Sequence, residues 1–288
     1  MTKLLLITGS GDLPKSILLS IEEKNKIHSS RAQTELMIIA IKNNMGICES
    51  ADFFKTKVKE YHEIEITNIK GFFEIANRLK PDAIIIAGKV DKPDFTKINI
   101  NDNKQSIGSR IVKKLLSSRL FGDDVLLKAV TKKIEAGTGV KVVQVSKLLP
   151  QMLAGQKLST NKVPNLQQKL AIKKGFKLIK NLSKLDISQS IVIGENSILG
   201  LEAAEGTDEL IKRCSAYAKQ NNSPILIKDA KHGQTFKADI PTIGLDTARL
   251  IIEHGYAGIA VKKGRVIVLN QPEFKILLEK HDKFFYVM

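Results

Sequence analysis

The sequence predicts an α/β protein of two domains. A Rossmann-like N-terminal domain with a mostly parallel sheet is expected over residues 1–148. A C-terminal α/β domain with a mixed sheet and helices is expected over 166–288. Three observations carry this reading. Residues 36–41 and 82–87 are short, continuous apolar runs rich in isoleucine, the pattern of strands covered on both faces. Segments of helical spacing alternate with them, as in a parallel sheet. At 288 residues the chain is also long for a single core.

Residues 4–8 form the first strand, ended by Gly9-Ser10-Gly11-Asp12. Pro14 then falls in a first helical turn, where its missing N–H costs nothing. Ile69 to Leu79 has helical spacing and stops at Lys80-Pro81. A helix over 123–135 and a strand over 141–145 follow. Residues 149–165 lose all periodicity around Pro150, Gly155 and Pro164 and read as the connection between domains. Helix returns over 166–182, and 190–194 and 198–203 read as paired strands around Glu195-Asn196. Leu210, Ile211, Cys214, Tyr217 and Ala218 trace the apolar stripe of the next helix. A strand at 224–227 and a helix at 247–253 come next. Residues 258–261 and 266–269 read as a hairpin around Lys262-Lys263-Gly264. The polar stretch 24–34 reads as an extended loop.

Composition narrows the function classes. Lys and Arg number 46 against 30 Asp and Glu, a net charge of +16 that attracts nucleic acid, anionic lipid headgroups or nucleotides alike. Aromatic residues are 5% and tryptophan is absent, so stacking platforms for single strands are not in view, and no nucleic-acid partner is expected. No apolar run approaches the roughly 18 residues of a membrane span, and no signal peptide is seen, which makes the cytoplasm the expected compartment. Two cysteines, Cys48 and Cys214, form no disulfide or zinc framework, and Cys214 reads as a small buried hydrophobe. There is no G-x-x-x-x-G-K-[ST], no G-x-S-x-G and no histidine pair at metal-ligand spacing.

The chemistry-bearing residues gather after predicted strands. Gly9-x-Gly11 lacks the third glycine of a dinucleotide fingerprint, whose place Pro14 takes. It reads either as a tight turn aiming backbone N–H groups at an anion or as a plain strand-to-helix turn. Glu202 and Glu205 follow an apolar strand and are candidate ligands of a divalent cation, whereas Asp123 and Asp124 open a helix, one as its N-cap and the other free. Thr207 is placed to cap the next helix, with Asp208 and Glu209 favoured in its first turn by the dipole. Lys228 and Lys231 flank Asp229 directly after a strand. They are either solvated lysines or phosphate contacts. Asp239, fixed by the following Ile240-Pro241, suits a metal ligand or a general base, with an Asx-turn as the bland alternative.

Six segments in order resemble the UDP-2,3-diacylglucosamine pyrophosphatase family of lipid A biosynthesis. They are Gly9-Ser-Gly11-Asp-Leu13-Pro14, Ala87-Gly88-Lys89-Val90-Asp91-Lys-Pro93-Asp94-Phe95, Gly122-Asp123-Asp124, Glu202-Ala-x-Glu205-Gly206-Thr207-Asp208, Lys228-x-x-Lys231-x-x-Gln234 and Asp239-Ile-Pro241-Thr242-Ile-Gly244. Lys92 and Lys237 stand where the family has arginines, which keeps charge but loses the bidentate grip on phosphate. The resemblance implies Mg²⁺-dependent hydrolysis of a lipid-linked nucleotide sugar, UDP-2,3-diacylglucosamine, to UMP and 2,3-diacylglucosamine 1-phosphate (lipid X). Water would attack the sugar-side phosphorus. It implies Asp239 as the catalytic residue, with Asp124, Glu202, Glu205 and Asp239 at the metal. Gly9, Ser10, Gly11, Lys89, Thr207, Lys228, Lys231, Gln234 and Thr242 would contact substrate. It points further to a homodimer, and a substrate with two acyl chains implies work at the anionic inner-membrane surface. A pyrophosphatase for a soluble nucleotide sugar, and a basic nucleic-acid-binding protein, are the competing readings.

Overall fold

The computed structural model describes residues 2–27, 33–43, 45–48, 50–90, 123–185, 187–194, 197–217, 223–231 and 240–288, with the backbone alone at 123–126. The chain divides into two units, the first ending at Leu149 and the second beginning at Pro150.

In the first unit, β1 (Thr2–Thr8), α1 (Asp12–Ile27), β2 (Thr34–Ile41), α2 (Ala51–Lys55), β3 (Glu60–Ile64), α3 (Ile69–Leu79) and β4 (Ala83–Ala87) build one sheet in the order β3-β2-β1-β4. Every pairing is parallel. Leu4, Leu5 and Leu6 are all fully buried, so β1 is covered on both faces and shows no alternation. Asn68 caps α3 by accepting a hydrogen bond from the Gly71 N–H, and Lys80 ends it in the left-handed region at φ 47°. Of the stretch 24–34, read as an extended loop, residues 28–32 lie outside the described residues. α1 continues to Ile27, and the Asn25 side chain clamps both the N–H and the carbonyl of Thr34.

α4 (Asp123–Thr138) packs against α3, with Ile134 joining the core beneath the sheet. The strand expected at 141–145 shrinks to one bridge, Val142 beside Ile84. The chain turns instead into α5 (Val145–Leu148) after two backbone hydrogen bonds to Ile84.

The second unit holds α6 (Leu166–Leu182), β5 (Ser190–Ile193), β6 (Ile198–Leu201), α7 (Gly206–Cys214), β7 (Ile225–Lys228), β8 (Thr242–Ile243), α8 (Leu245–Glu253), β9 (Gly258–Val261), β10 (Ile267–Val268), α9 (Gln271–Lys280) and β11 (Phe284–Val287). Its main sheet runs β11-β9-β7-β5-β6 and is mixed, with β5 antiparallel to both neighbours. Strand residues alternate between two cores. Ile191, Ile193, Ile225 and Ile227 meet α6, whereas Val192 and Leu226 meet α7, α8 and α9. α6 starts at a full capping box between Asn165 and Gln168. Gly175 lets it lie close on the sheet: a Cβ there would stand 2.2 Å from Ile227 Cδ1.

Three expectations change here. Residues 258–261 and 266–269 are not a hairpin, because β9 already has β7 and β11 on its two edges. β10 pairs in parallel with β8 instead. The predicted stripe after Glu205 buries Leu210, Ile211 and Cys214, but Tyr217 lies 45% exposed on a 3₁₀ turn; Ala218 lies outside the described residues. Residues 149–165, read from their lost periodicity as the connection between domains, are packed in part rather than loose. They hold two 3₁₀ turns, Pro150–Met152 and Gln156–Leu158, and bury Ala154 and Leu158 in the core of the second unit. Their polar groups close the free edge of β11. Thr160 N–H donates to Phe285 O, Phe285 N–H to Thr160 Oγ1, and Val287 N–H to Ser159 Oγ. The sequence also hides α9 and β11, although Pro272 at the helix start and Phe284-Phe-Tyr-Val were visible signals.

Candidate active site

Antiparallel pairing brings three strand ends together in the second unit. Ser190 opens β5 opposite Lys228, which closes β7. On the other side of β5, Glu202 follows β6 and donates its N–H to the Ser190 carbonyl. The turn after β6 then starts α7 at Gly206, so Thr207 sits in the first helical turn above these ends.

The four side chains form one chain of hydrogen bonds. Thr207 Oγ1 donates to Glu202 Oε1 at 2.8 Å. The same hydroxyl accepts from Lys228 Nζ at 2.5 Å, and Ser190 Oγ stands 3.3 Å from it. Thr207 is therefore a link between acid and base rather than the helix cap its position suggests. The N-cap is Glu205, and it makes no side-chain cap bond. Glu202 is only 8% exposed and Lys228 only 3%, so Lys228 is not the solvated lysine a surface reading allowed. Glu202 Oε2 is buried and has no hydrogen-bond partner among the described residues. A carboxylate oxygen without a donor is costly to bury, by about 1–3 kcal/mol or more for a charged group. Such an atom marks a place that a cation or a donor from a ligand would stabilise.

Glu205 is committed elsewhere. Its oxygens accept from Arg213 Nη2 at 2.7 Å and from the Ala203 N–H at 3.1 Å. The Arg213 hydrogen bond, aided by backbone N–H groups, holds its carboxyl below the usual glutamate range. A depressed folded pKa adds stability that is present above the ordinary glutamate pKa and is lost as pH falls through the folded value. Thermal melts of Glu205→Gln should therefore fall below wild type at pH 7 and converge with it below the glutamate range. A gap independent of pH would show that the charge is not the cause. Asp208 and Glu209 open α7 as dipole-favoured acids, and Glu209 pairs with Lys212.

Asp229, beside Lys228, is buried and accepts from Arg265 Nε at 2.5 Å, while Arg265 Nη2 also donates to Ala230 O at 2.7 Å. Arg265 fixes the turn after β7 and so holds Lys228 in place. Nothing in the sequence near Lys228 pointed to it. Ser190 was equally unsignalled, except as a polar start to an apolar run. Lys231 is half-buried beyond this turn. Thr242 lies in β8 and donates its hydroxyl to Ile240 O.

The glycine turn of the first unit differs from its anion-binding reading. Gly9 N–H donates to Ala87 O and Ser10 N–H to Lys89 O, while Lys89 N–H returns to Ser10 O. These amides are spent on zipping β1 to the end of β4. A Cβ on Gly9 would lie 2.0 Å from Lys89 O, so glycine is required by a close backbone approach. Gly11 adopts φ 96°, in the glycine-favoured region. Lys89 itself is exposed.

The Asp124 side chain, Gln234 and Asp239 lie outside the described residues. Among the described residues no three His, Cys, Asp or Glu side chains come together to hold a metal. No helix among the described residues is long and apolar enough to cross a membrane.

Two α/β units, the second with a buried acid and a buried lysine joined through a half-buried hydroxyl at its strand ends, define an α/β enzyme. The chain belongs to the LpxI family. The family models described as the LpxI N-terminal domain and the LpxI C-terminal domain match residues 3–152 and 155–286. The chain is similar to the UDP-2,3-diacylglucosamine pyrophosphatase LpxI of Caulobacter vibrioides. The two are 26% identical over 196 residues, covering 66% of this chain and 68% of that one. The family expected from the six sequence segments is the one found.

Proposed function

We propose that this enzyme hydrolyses UDP-2,3-diacylglucosamine to UMP and lipid X, with Mg²⁺ as its cation, at the anionic face of a membrane. The observation that carries the proposal is the buried Glu202–Thr207–Lys228 cluster, which lies in the stretch matched by the LpxI C-terminal domain. A diphosphate needs positive charge beside its oxygens and a carboxylate for cation or water; this cluster offers both kinds of group.

Magnesium takes one or two protein carboxylates and completes its shell with phosphate oxygens and water. The Oε2 of Glu202, without a partner among the described residues, fits such a sparse donor set. Glu205 fits it poorly, with both oxygens engaged. Glu202 would hold the ion, and the family resemblance offers Asp124 and Asp239 as further carboxylates for that role. When bound, the cation would neutralise charge on the two phosphates. Lys228 would supply positive charge, and Thr207 keeps Glu202 and Lys228 in register. Asp239 readies the water, as a metal ligand or by taking its proton. The water oxygen bonds to the sugar-side phosphorus, the bond from that phosphorus to the bridging oxygen breaks, and UMP departs with the bridging oxygen. Lys231, Gln234, Lys89 and Thr242 complete the proposed substrate contacts.

Product analysis by mass spectrometry in ¹⁸O-water tests this reading. With Mg²⁺ the label should appear in 2,3-diacylglucosamine 1-phosphate and not in UMP, and a chelator should stop release. Asp239→Ala should fold and turn over at least about 100-fold more slowly. Label in UMP would reverse the assignment of the attacked phosphorus. Equal turnover of UDP-N-acetylglucosamine would favour the soluble-substrate reading.

A further inference from the structure

α6 is the one helix among the described residues that covers its face of the main sheet, and its outward half has an unusual composition. Ala171, Ile172, Phe176 and Ile179 face the sheet. Opposite them, Leu166, Leu170, Lys173 and Lys177 fall at i, i+4, i+7 and i+11, one stripe along the helix. Leu166 is 74% exposed and Leu170 58%. Lys169, Lys174 and Lys180 flank the stripe, and Lys184 follows in the next turn, all of them exposed. Residues 166–184 thus carry six lysines and no acid, six of the net +16 of the chain in 19 residues. None of the six pairs with a carboxylate among the described residues. Val163, just before the helix, is exposed as well.

A solvated helix of ordinary type interleaves acids with its lysines, which gains i,i+4 pairing and costs nothing. This face forgoes that pairing entirely. It also keeps two leucines largely in water, where burial would favour them. Both choices become favourable against one kind of partner: an apolar layer under a sheet of negative headgroups. Leucines at the N-terminal end enter the layer, while lysine stems lie along it with their ammonium groups at the headgroups. Each lysine held near an anionic leaflet strengthens the attachment.

We infer that the outward face of α6, from Leu166 to Lys184, docks the enzyme on an anionic lipid bilayer. The inference deepens the functional reading above, on which it rests, by naming the surface that brings the chain to a lipid-linked substrate. It is testable without turnover, so the two can fail separately.

The test measures partition of the full chain onto phosphatidylcholine vesicles with and without phosphatidylglycerol, in the absence of substrate. Wild type should bind only the anionic vesicles and leave them as salt rises. Lys173→Glu/Lys177→Glu should lower the partition at least about 30-fold. Leu166→Gln/Leu170→Gln should lower it about tenfold or more with charge unchanged. A matched reversal on the first unit, Lys26→Glu/Lys70→Glu, should change it by less than about threefold. Turnover of detergent-dispersed substrate should survive in all three variants, which confirms that they are folded. Undiminished binding by either α6 variant, or equal losses in the matched control, would overturn the assignment. So would equal binding to neutral vesicles.

Discussion

Glu202→Gln should lower turnover of UDP-2,3-diacylglucosamine at least about 100-fold while leaving the protein folded. The substitution keeps the shape of the side chain, and the glutamine carbonyl can still accept from Thr207 Oγ1, the 2.8 Å bond that anchors Glu202. What disappears is negative charge on the buried oxygen that has no partner among the described residues. If that oxygen serves the cation, the loss falls on kcat and on the Mg²⁺ concentration needed for half-maximal rate, and excess Mg²⁺ restores part of it. A melting temperature close to wild type is expected. A variant with unchanged rate and unchanged Mg²⁺ dependence would reduce the cluster to a structural tie between β6 and α7.

Gly9→Ala should destabilise the first unit by about 3 kcal/mol or prevent its folding, because the new Cβ would meet backbone rather than a movable side chain. The Lys89 carbonyl oxygen would stand 2.0 Å away and its carbon 2.6 Å away. Relief requires the end of β1 to part from the end of β4, which breaks the reciprocal Ser10–Lys89 bridge. Circular dichroism melts and urea titration would register the change. An alanine variant that melts normally but shows a raised KM would restore the anion-binding role of this turn.

That glycine illustrates where the sequence was legible and where it was not. Repeating local patterns were read well. Ile69–Leu79 and Leu166–Leu182 have the bounds that their periodicity predicts, because capping residues and Lys80-Pro81 mark the ends. The mixed character of the second sheet also followed from a paired-strand signal around Glu195-Asn196. Pairings between distant segments were a different matter. A Gly-x-Gly turn has the same spelling whether its amides face a phosphate or another strand. Likewise, 258–261 and 266–269 have hairpin spacing, yet β9 had no free edge to offer. In the candidate site, Glu202 and Lys228 were singled out from their places after strands, and Thr207 as the cap of a helix. Their mutual bonds depend on the antiparallel turn of β5, and Ser190 and Arg265 enter only through it.

The packing of residues 156–160 along β11 has a further consequence. A tail reading Phe-Phe-Tyr-Val, laid at the margin of a sheet with its amides bare, would template the same segment of a neighbouring molecule. Ser159 and Thr160 occupy those amides from within. The hydrophobic C-terminus can thus complete the core without becoming a seed for self-assembly.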